Sequence, residues 1–319
     1  SAVGTATTLT DTAASKTITL TDDDVQDILI AAPNTPTITG TRVGNAGGNT
    51  NCDTDTPKTV YADIGTDTPK NWFDNIWATS SGGGAGSLNN YPLPQDTAVI
   101  DNATWDATSK VLTNYSSVGA VRMPTVNVTT ITEVNTLVLT NSTFYGSLLC
   151  TGTGITINDS GSTHTLVPYV IGTLVFDNKT GTHSSTITIN SYSGTVQLGS
   201  NYTSTHASGI TLTQGTLDLN GQTLTANSFS SSNANTRVLQ DTAGGGKIVL
   251  NGLTGTVFDM STATGLTVSN APDIDIGDSN NTLTADVTFA GGGKTFGDFT
   301  IKKHAGAFSS ILTGANTFG

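Results

Sequence analysis

The chain has 319 residues, of which 35% are hydrophobic and only 11% are charged, and its formal net charge is −12. This hydrophobic content is enough for a buried core, which excludes a disordered tail. An acidic surface repels phosphate backbones, so we expect no nucleic-acid partner. No stretch reaches the roughly 18 apolar residues of a membrane span, so we expect no membrane insertion either.

The N-terminal part differs in composition from the rest of the chain. Segment 21–29, with the sequence TDDDVQDIL, predicts either one short helix that begins at its threonine or an edge strand. Residues 33–70 are rich in Asn, Asp, Thr, Gly and Pro, as is typical of a loop-rich module or linker. We therefore predict a small β-rich N-terminal module over residues 1–70.

Four aromatic residues surround the point where the repetitive part of the sequence begins. They are Trp72, Trp77, Tyr91 and Trp105. Because aromatic faces stack on sugar rings, these residues are candidates for binding a glycan. The preferred interpretation is that they plug the first coil of the repeat against water.

A short strand of the form Gly/Asn-Thr-apolar-x-apolar recurs through the second half of the chain. It begins at Asn135, Gly172, Gly194, Gly215 and Gly255, and related strands fall between these, which gives a period of about 20 residues. Thr, Val and Ile dominate the apolar stretches, and helix-forming residues are scarce.

A period of about 20 residues with Gly, Asn and Ser corners is typical of one coil of a stacked solenoid. We predict an all-β fold: a right-handed parallel β-helix over residues 71–319, preceded by the N-terminal module. The competing fold is an antiparallel sandwich, which also has regularly spaced turns, at intervals of about 8–12 residues. The repeat is still in progress at Gly319, so we expect that the natural chain continues or that a partner covers this end.

From about Asn71 onward the chain resembles repetitive β-helix proteins of phage particles and bacterial surfaces, especially tail-fibre-like proteins of environmental phages. The resemblance rests on the Trp-containing segment, the Ser/Gly-rich loop after it, and the sequence PLPQDTAVID. It also rests on later repeats such as LDLNGQTLTA and FAGGGKTF.

The resemblance implies a structural virion fibre or spike that gives reach and host-surface attachment. It also implies a virion-exterior location, a homotrimer, and attachment to other virion or fibre proteins through residues 1–70. The alternatives are a bacterial or archaeal surface adhesin or filament subunit, and a tailspike that cleaves glycans.

Asp273 and Asp275 are weak candidates for the acid and base of such a glycosidase. They alternate with isoleucines, so a strand would place both carboxylates on one outward face. A solvated face or a cation site is the alternative. We expect that the chain is not an enzyme.

Metal and thiol chemistry has little support in the sequence. Asp22, Asp23 and Asp24 are weak candidate ligands for Ca²⁺, but they lack an EF-hand loop, and no other cofactor is expected. The four histidines are isolated, which predicts outward or corner positions. Cys52 and Cys150 form either one disulfide or two free thiols.

Overall fold

A computed structural model describes residues 6–10, 16–31, 37–65, 69–84, 86–103, 110–114, 116, 120–168, 172–179, 182–277, 285–301 and 309–319. The chain is all-β with almost no helix, and its stacked parallel coils form a β-solenoid of about 12 turns. The predicted parallel solenoid is confirmed and the antiparallel sandwich is wrong. The right-handedness of the coils stays a prediction.

The chain divides into two compact units. Unit 1 contains Ser1–Asn158, Val167–Leu174 and Tyr192–Gly194, and unit 2 contains Asp159–Leu166, Val175–Ser191 and Thr195–Gly319.

The strands up to Asn158 are all short. They are β1 (Thr7–Leu9), β2 (Thr17–Thr21), β3 (Asp24–Val25), β4 (Ile28–Ile30), β5 (Thr37–Thr41), β6 (Gly44–Asn45), β7 (Thr59–Ala62), β8 (Lys70–Asn71), β9 (Trp77–Ala78), β10 (Thr97–Val99), β11 (Val111–Thr113), β12 (Val121–Met123), β13 (Thr125–Asn127), β14 (Asn135–Val138), β15 (Ser142–Phe144), β16 (Leu148–Leu149) and β17 (Ile155–Asn158). A 3₁₀ helix, η1, covers Leu88–Asn90.

The later strands include two long ones, β21 and β23. They are β18 (Thr163–Leu166), β19 (Thr173–Asp177), β20 (Thr182–His183), β21 (Thr186–Leu198), β22 (Tyr202–Ser204), β23 (Ile210–Asp218), β24 (Thr223–Ala226), β25 (Phe229–Ser230), β26 (Arg237–Gln240), β27 (Lys247–Leu250), β28 (Gly255–Asp259), β29 (Leu266–Ser269), β30 (Asp273–Ile276), β31 (Val287–Ala290), β32 (Thr295–Phe296), β33 (Phe299–Ile301), β34 (Ser310–Thr313) and β35 (Thr317–Phe318).

In unit 1, parallel pairing begins well before the predicted start of the solenoid. β2 pairs with β5, and β3 pairs with β6, each one coil further along the chain. The helix considered for segment 21–29 is therefore wrong. Asp22 and Asp27 have φ values of +57° and +54°, which an α-helix does not accommodate. The module boundary after residue 70 stays a prediction.

One coil of unit 1 carries a long excursion. Thr59 in β7 pairs with Thr97 in β10, a span of almost twice as much chain as the one from Val121 to its partner Ser142. The chain between these strands, residues 63–96, contains β8, which pairs parallel with β11 as a regular part of the coil, together with η1 and β9. β9 pairs antiparallel with the second edge of β7. This excursion therefore covers an edge that would otherwise be open to further strands.

In unit 2, one interior column runs through six successive strands in register. Its buried residues are His164, Ile187, Ile210, Phe229, Phe258 and Phe289. The rings of Phe258 and Phe289 stack with centroids 4.5 Å apart, and those of Phe229 and Phe258 with centroids 5.4 Å apart. Similar side chains are stacked in successive coils, and they fill the core of this unit.

The repeated Gly-Thr strands occupy more than one column. Thr195 pairs with Thr216, and Gly215 pairs with Arg237, so the strands near 194, 215 and 237 stack as the period predicts. The strand that begins at Gly255 instead stacks on β25, through Phe229 and Phe258. The corners between strands differ in length. Gly-Thr strands that are equally spaced in the sequence therefore do not all occupy the same position around the coil.

Buried aspartates hold the corners. The turn at residues 219–222 has Asn220 and Gly221 at φ values of +51° and +75°. The Asp241 carboxylate accepts the N–H groups of Gly221 and Gly246, each at 2.6 Å. The described aspartates that are buried are Asp27, Asp96, Asp159, Asp177, Asp218, Asp241 and Asp275. Some of the carboxylates that make the chain acidic therefore act as hydrogen-bond acceptors that cap its corners.

A completely buried arginine joins two corners of unit 2. The Arg237 guanidinium donates to the carbonyl oxygens of Ser231, Thr262 and Thr264, the last at 2.6 Å. Its Nε donates to the Asn235 carbonyl at 2.9 Å. The charge is thus solvated by backbone dipoles inside the solenoid.

A closed polar cluster lies in the core of unit 2. His183 Nδ1 is 3.1 Å from Asp159 Oδ2, and the Ser185 hydroxyl donates to the same oxygen at 2.8 Å. Ser185 Oγ is also 2.7 Å from the Tyr202 hydroxyl. Burial favours the protonated form of Asp159, but hydrogen bonds from His183 and Ser185 outweigh it and hold the pKa of Asp159 below its ordinary value.

His164 and His183 are both buried, so the prediction of outward or corner histidines is wrong for these two. Burial lowers the pKa of His164 to about 4. The unfolded chain, in which histidine has a pKa of about 6.5, therefore binds the proton more readily than the folded chain.

We predict that protonation of His164 destabilises unit 2 in mild acid. Its contribution should be fully present above about pH 6.5 and fall by on the order of 3 kcal/mol as the pH approaches 4. His164→Leu should remove that part of the pH dependence. Urea unfolding between pH 8 and pH 4 tests this, and parallel pH profiles for the two proteins would contradict it.

Candidate functional site

A groove on unit 1 contains a stacked aromatic pair and three charged side chains. We call its first part the aromatic groove; it has a volume of about 340 Å³ and is lined by Asp22, Asp24, Arg42, Phe73, Leu88, Asn89, Tyr91 and Leu93. This volume lies within the range of small-ligand sites, about 300–1,000 Å³.

A tight turn presents Phe73 to solvent. The Asp74 carboxylate accepts the Asn71 N–H at 2.7 Å, and the Asn71 side chain accepts the Phe73 N–H at 3.1 Å. Trp72 in the same turn is completely buried, while Phe73 is 43% exposed. Phe73 therefore offers an open ring to a ligand.

Tyr91 supports Phe73 from inside the groove. The two rings stack with centroids 5.7 Å apart and planes 10° apart, and the Arg42 guanidinium lies over the Tyr91 ring at 5.8 Å. Burial, helped by the negative charge of Asp24, raises the pKa of Tyr91, so its hydroxyl keeps its proton. Tyr91 thus acts mainly as a support for the exposed ring of Phe73.

Two ion pairs lie beside the stacked rings, and one of their members, Arg122, lines an adjoining cavity rather than the aromatic groove itself. Arg42 Nε donates to Asp22 Oδ1, and Arg122 donates to Asp24 Oδ2 at 2.5 Å. Aromatic rings beside paired carboxylates and guanidinium groups offer an apolar platform together with acceptors and donors for hydroxyl groups. This combination suits a polar ligand that has one apolar face, such as a sugar.

Segments far apart in the sequence are tied together at this groove. Gln95 on the excursion accepts the Asn45 N–H at 2.8 Å and donates to the Asp55 carbonyl at 3.0 Å. The Asp55 carboxylate accepts the Val43 N–H at 3.1 Å. Residues on both sides of the predicted boundary at residue 70 therefore build one site.

Only one of the four sequence-predicted aromatic candidates, Tyr91, is described as lining the groove. Trp72 and Trp77 are completely buried, their rings lie 4.6 Å apart, and Trp77 Nε1 donates to the Trp72 carbonyl at 2.9 Å. They have no face available to a ligand, as the plug interpretation requires. Trp105 lies outside the described residues, and Phe73 was missed in the sequence.

The candidate acids of unit 2 do not form an open pair. Asp275 is buried, in contrast to the outward position expected from the alternation, and its carboxylate lies 3.3 Å from the Lys247 ammonium. Asp273 is half-buried and accepts the Asp298 N–H at 2.9 Å. The candidate calcium ligands Asp22 and Asp24 each pair with an arginine, and Asp23 is exposed.

Over the described part of the chain, no group of three or more His, Cys, Asp or Glu side chains is placed to hold a metal ion. Cys52 and Cys150 are free thiols, and burial raises the pKa of Cys52. Within the same residues, no helix is both long and apolar enough to cross a membrane.

The chain matches no protein-family model, no curated protein and no solved structure.

The adjacent residues Trp72 and Phe73 provide a matched test of burial. Trp72→Ala should lower the free energy of unfolding of unit 1 by about 3–5 kcal/mol, because a large buried side chain is lost. Phe73→Ala should change it by less than about 1 kcal/mol. Urea denaturation measures both values, and equal losses would contradict the assignment of Trp72 to the core and Phe73 to the surface.

Proposed function

We propose that this chain is a structural attachment protein of a virion fibre or spike, and that the aromatic groove binds a host-surface glycan. The observation that carries the proposal is the exposed Phe73 ring, which is supported by Tyr91 and bordered by two carboxylate–guanidinium pairs. The apolar ring receives the apolar face of a sugar, and the charged side chains bond its hydroxyls.

The fold supports a mechanical role. A stacked solenoid places one coil after another through main-chain hydrogen bonds, which suits a part that carries a binding site away from a particle. On this proposal the protein lies on the virion exterior, forms a homotrimer, and joins other virion or fibre proteins through those surfaces of residues 1–70 that do not line the groove.

Loss of the Phe73 ring should abolish most of the attachment. We expect Phe73→Ala to weaken binding to host cells or to their isolated envelope glycans at least about 10-fold, since a stacked aromatic often contributes more than about 1.4 kcal/mol. Phe73→Trp should retain binding. Tyr192→Ala is the control, because Tyr192 is also exposed, at 52%, but does not line the groove. Equal binding by wild type and Phe73→Ala would overturn the proposal.

The main alternative is a bacterial or archaeal surface adhesin or filament subunit, which would use the same groove. The two differ in where the protein is found. Immunogold labelling of purified particles and of producing cells separates them: label on particles supports the fibre, whereas label only on cell surfaces supports the adhesin.

The second alternative is a tailspike that cleaves glycans with Asp273 and Asp275. The ion pair between Asp275 and Lys247 argues against it, because a buried, paired carboxylate is poorly placed to meet a substrate. We expect no polysaccharide release from host envelopes. Release that Asp273→Asn and Asp275→Asn abolish would support this alternative.

A further inference from the structure

The aromatic groove continues into a second cavity beyond the Phe73 ring. The two cavities share Asp24, Phe73, Tyr91 and Leu93. The second has a volume of about 250 Å³ and extends along Pro92, Pro94, Ser116, Ala120, Val121 and Arg122. The stacked pair of Phe73 and Tyr91 thus lines both cavities.

Each cavity has its own polar groups. The first contains Asp22, whose side chain is 62% exposed, together with Asn89. The second contains Arg122, whose side chain is 53% exposed. Asp24 and Arg42 are more enclosed, at 16% and 14%. One end therefore presents mainly a carboxylate acceptor and the other a guanidinium donor.

The charges of the combined groove balance. Two aspartates face two arginines, and each carboxylate is already paired with a guanidinium. The chain as a whole carries a formal charge of −12, which repels anions approaching from solution. An anionic sugar would meet no excess of positive charge in this groove, and it would have to compete with Asp24 for Arg122.

We infer that the groove binds an uncharged glycan of at least two sugar units, with one unit in each cavity and both units in contact with Phe73, which lines the two cavities. This inference rests on the proposed function and adds the charge and minimum length of the ligand. Hydroxyl groups of one unit donate to Asp22, and those of the other accept from Arg122.

The test uses the full chain and an immobilised panel of neutral mono-, di- and trisaccharides, with uronic acid and sialylated counterparts. Binding should occur to neutral saccharides of two or more units, exceed that to monosaccharides at least about 10-fold, and change little between about 50 and 500 mM salt. Phe73→Ala should abolish it.

A second variant tests the cavity beyond Phe73 without disturbing the core. Ala120 is exposed and lines only the second cavity, so Ala120→Trp should fill that cavity and leave folding intact. Disaccharide binding should fall to the monosaccharide level, while monosaccharide binding changes less than about 3-fold. An unchanged thermal transition verifies that the variant is folded.

The outcomes separate the two claims. Absence of binding to every saccharide, or binding that is indifferent to Phe73→Ala, overturns the proposed function together with the inference. Phe73-dependent binding that is restricted to anionic sugars, or that Ala120→Trp does not affect, overturns the inference alone.

Discussion

Parallel main-chain pairing between successive coils is the interaction on which both units depend. Because strands pair in parallel with strands one coil later, inward residues stack on inward residues, with local register shifts such as those in β21 and β28. The column from His164 to Phe289 in unit 2 follows from this constraint. The same constraint creates a need for hydrogen-bond acceptors at the corners, where the chain leaves the ladder. There, carboxylates such as that of Asp241 accept backbone N–H groups that have no partner strand.

The sequence carries enough information to predict the fold class. Branched residues at alternate positions and a period of about 20 residues are sufficient for a parallel solenoid. The same two features are not enough to predict where each strand lies around the coil. The strand at Gly255 entered a different column from the one at Gly215, because the length of chain between paired residues varies in unit 2. Ile210 pairs with Phe229, whereas Gly255 pairs with the more distant Val287.

The candidate site was harder to predict from the sequence, because tertiary contacts decide which side chain of a turn is exposed to solvent. Composition pointed to the segment that contains Trp72 and Phe73, but pattern alone did not tell which aromatic ring faces water. The two ion pairs join residues far apart in sequence, such as Arg122 and Asp24. The alternation of aspartate and isoleucine likewise predicted an outward Asp275. In the structure Asp275 is buried, and its carboxylate lies beside Lys247 of the neighbouring strand β27.

The excursion at residues 63–96 carries a strand of the solenoid, β8, and also three side chains of the candidate site. The coil keeps its ladder from β7 to β10, and β8 within the same segment pairs with β11. Phe73, Leu88 and Tyr91 all lie between β8 and β10. None of these three side chains is fully buried. Under the proposed function, natural variation can therefore exchange one ligand preference for another on an unchanged solenoid.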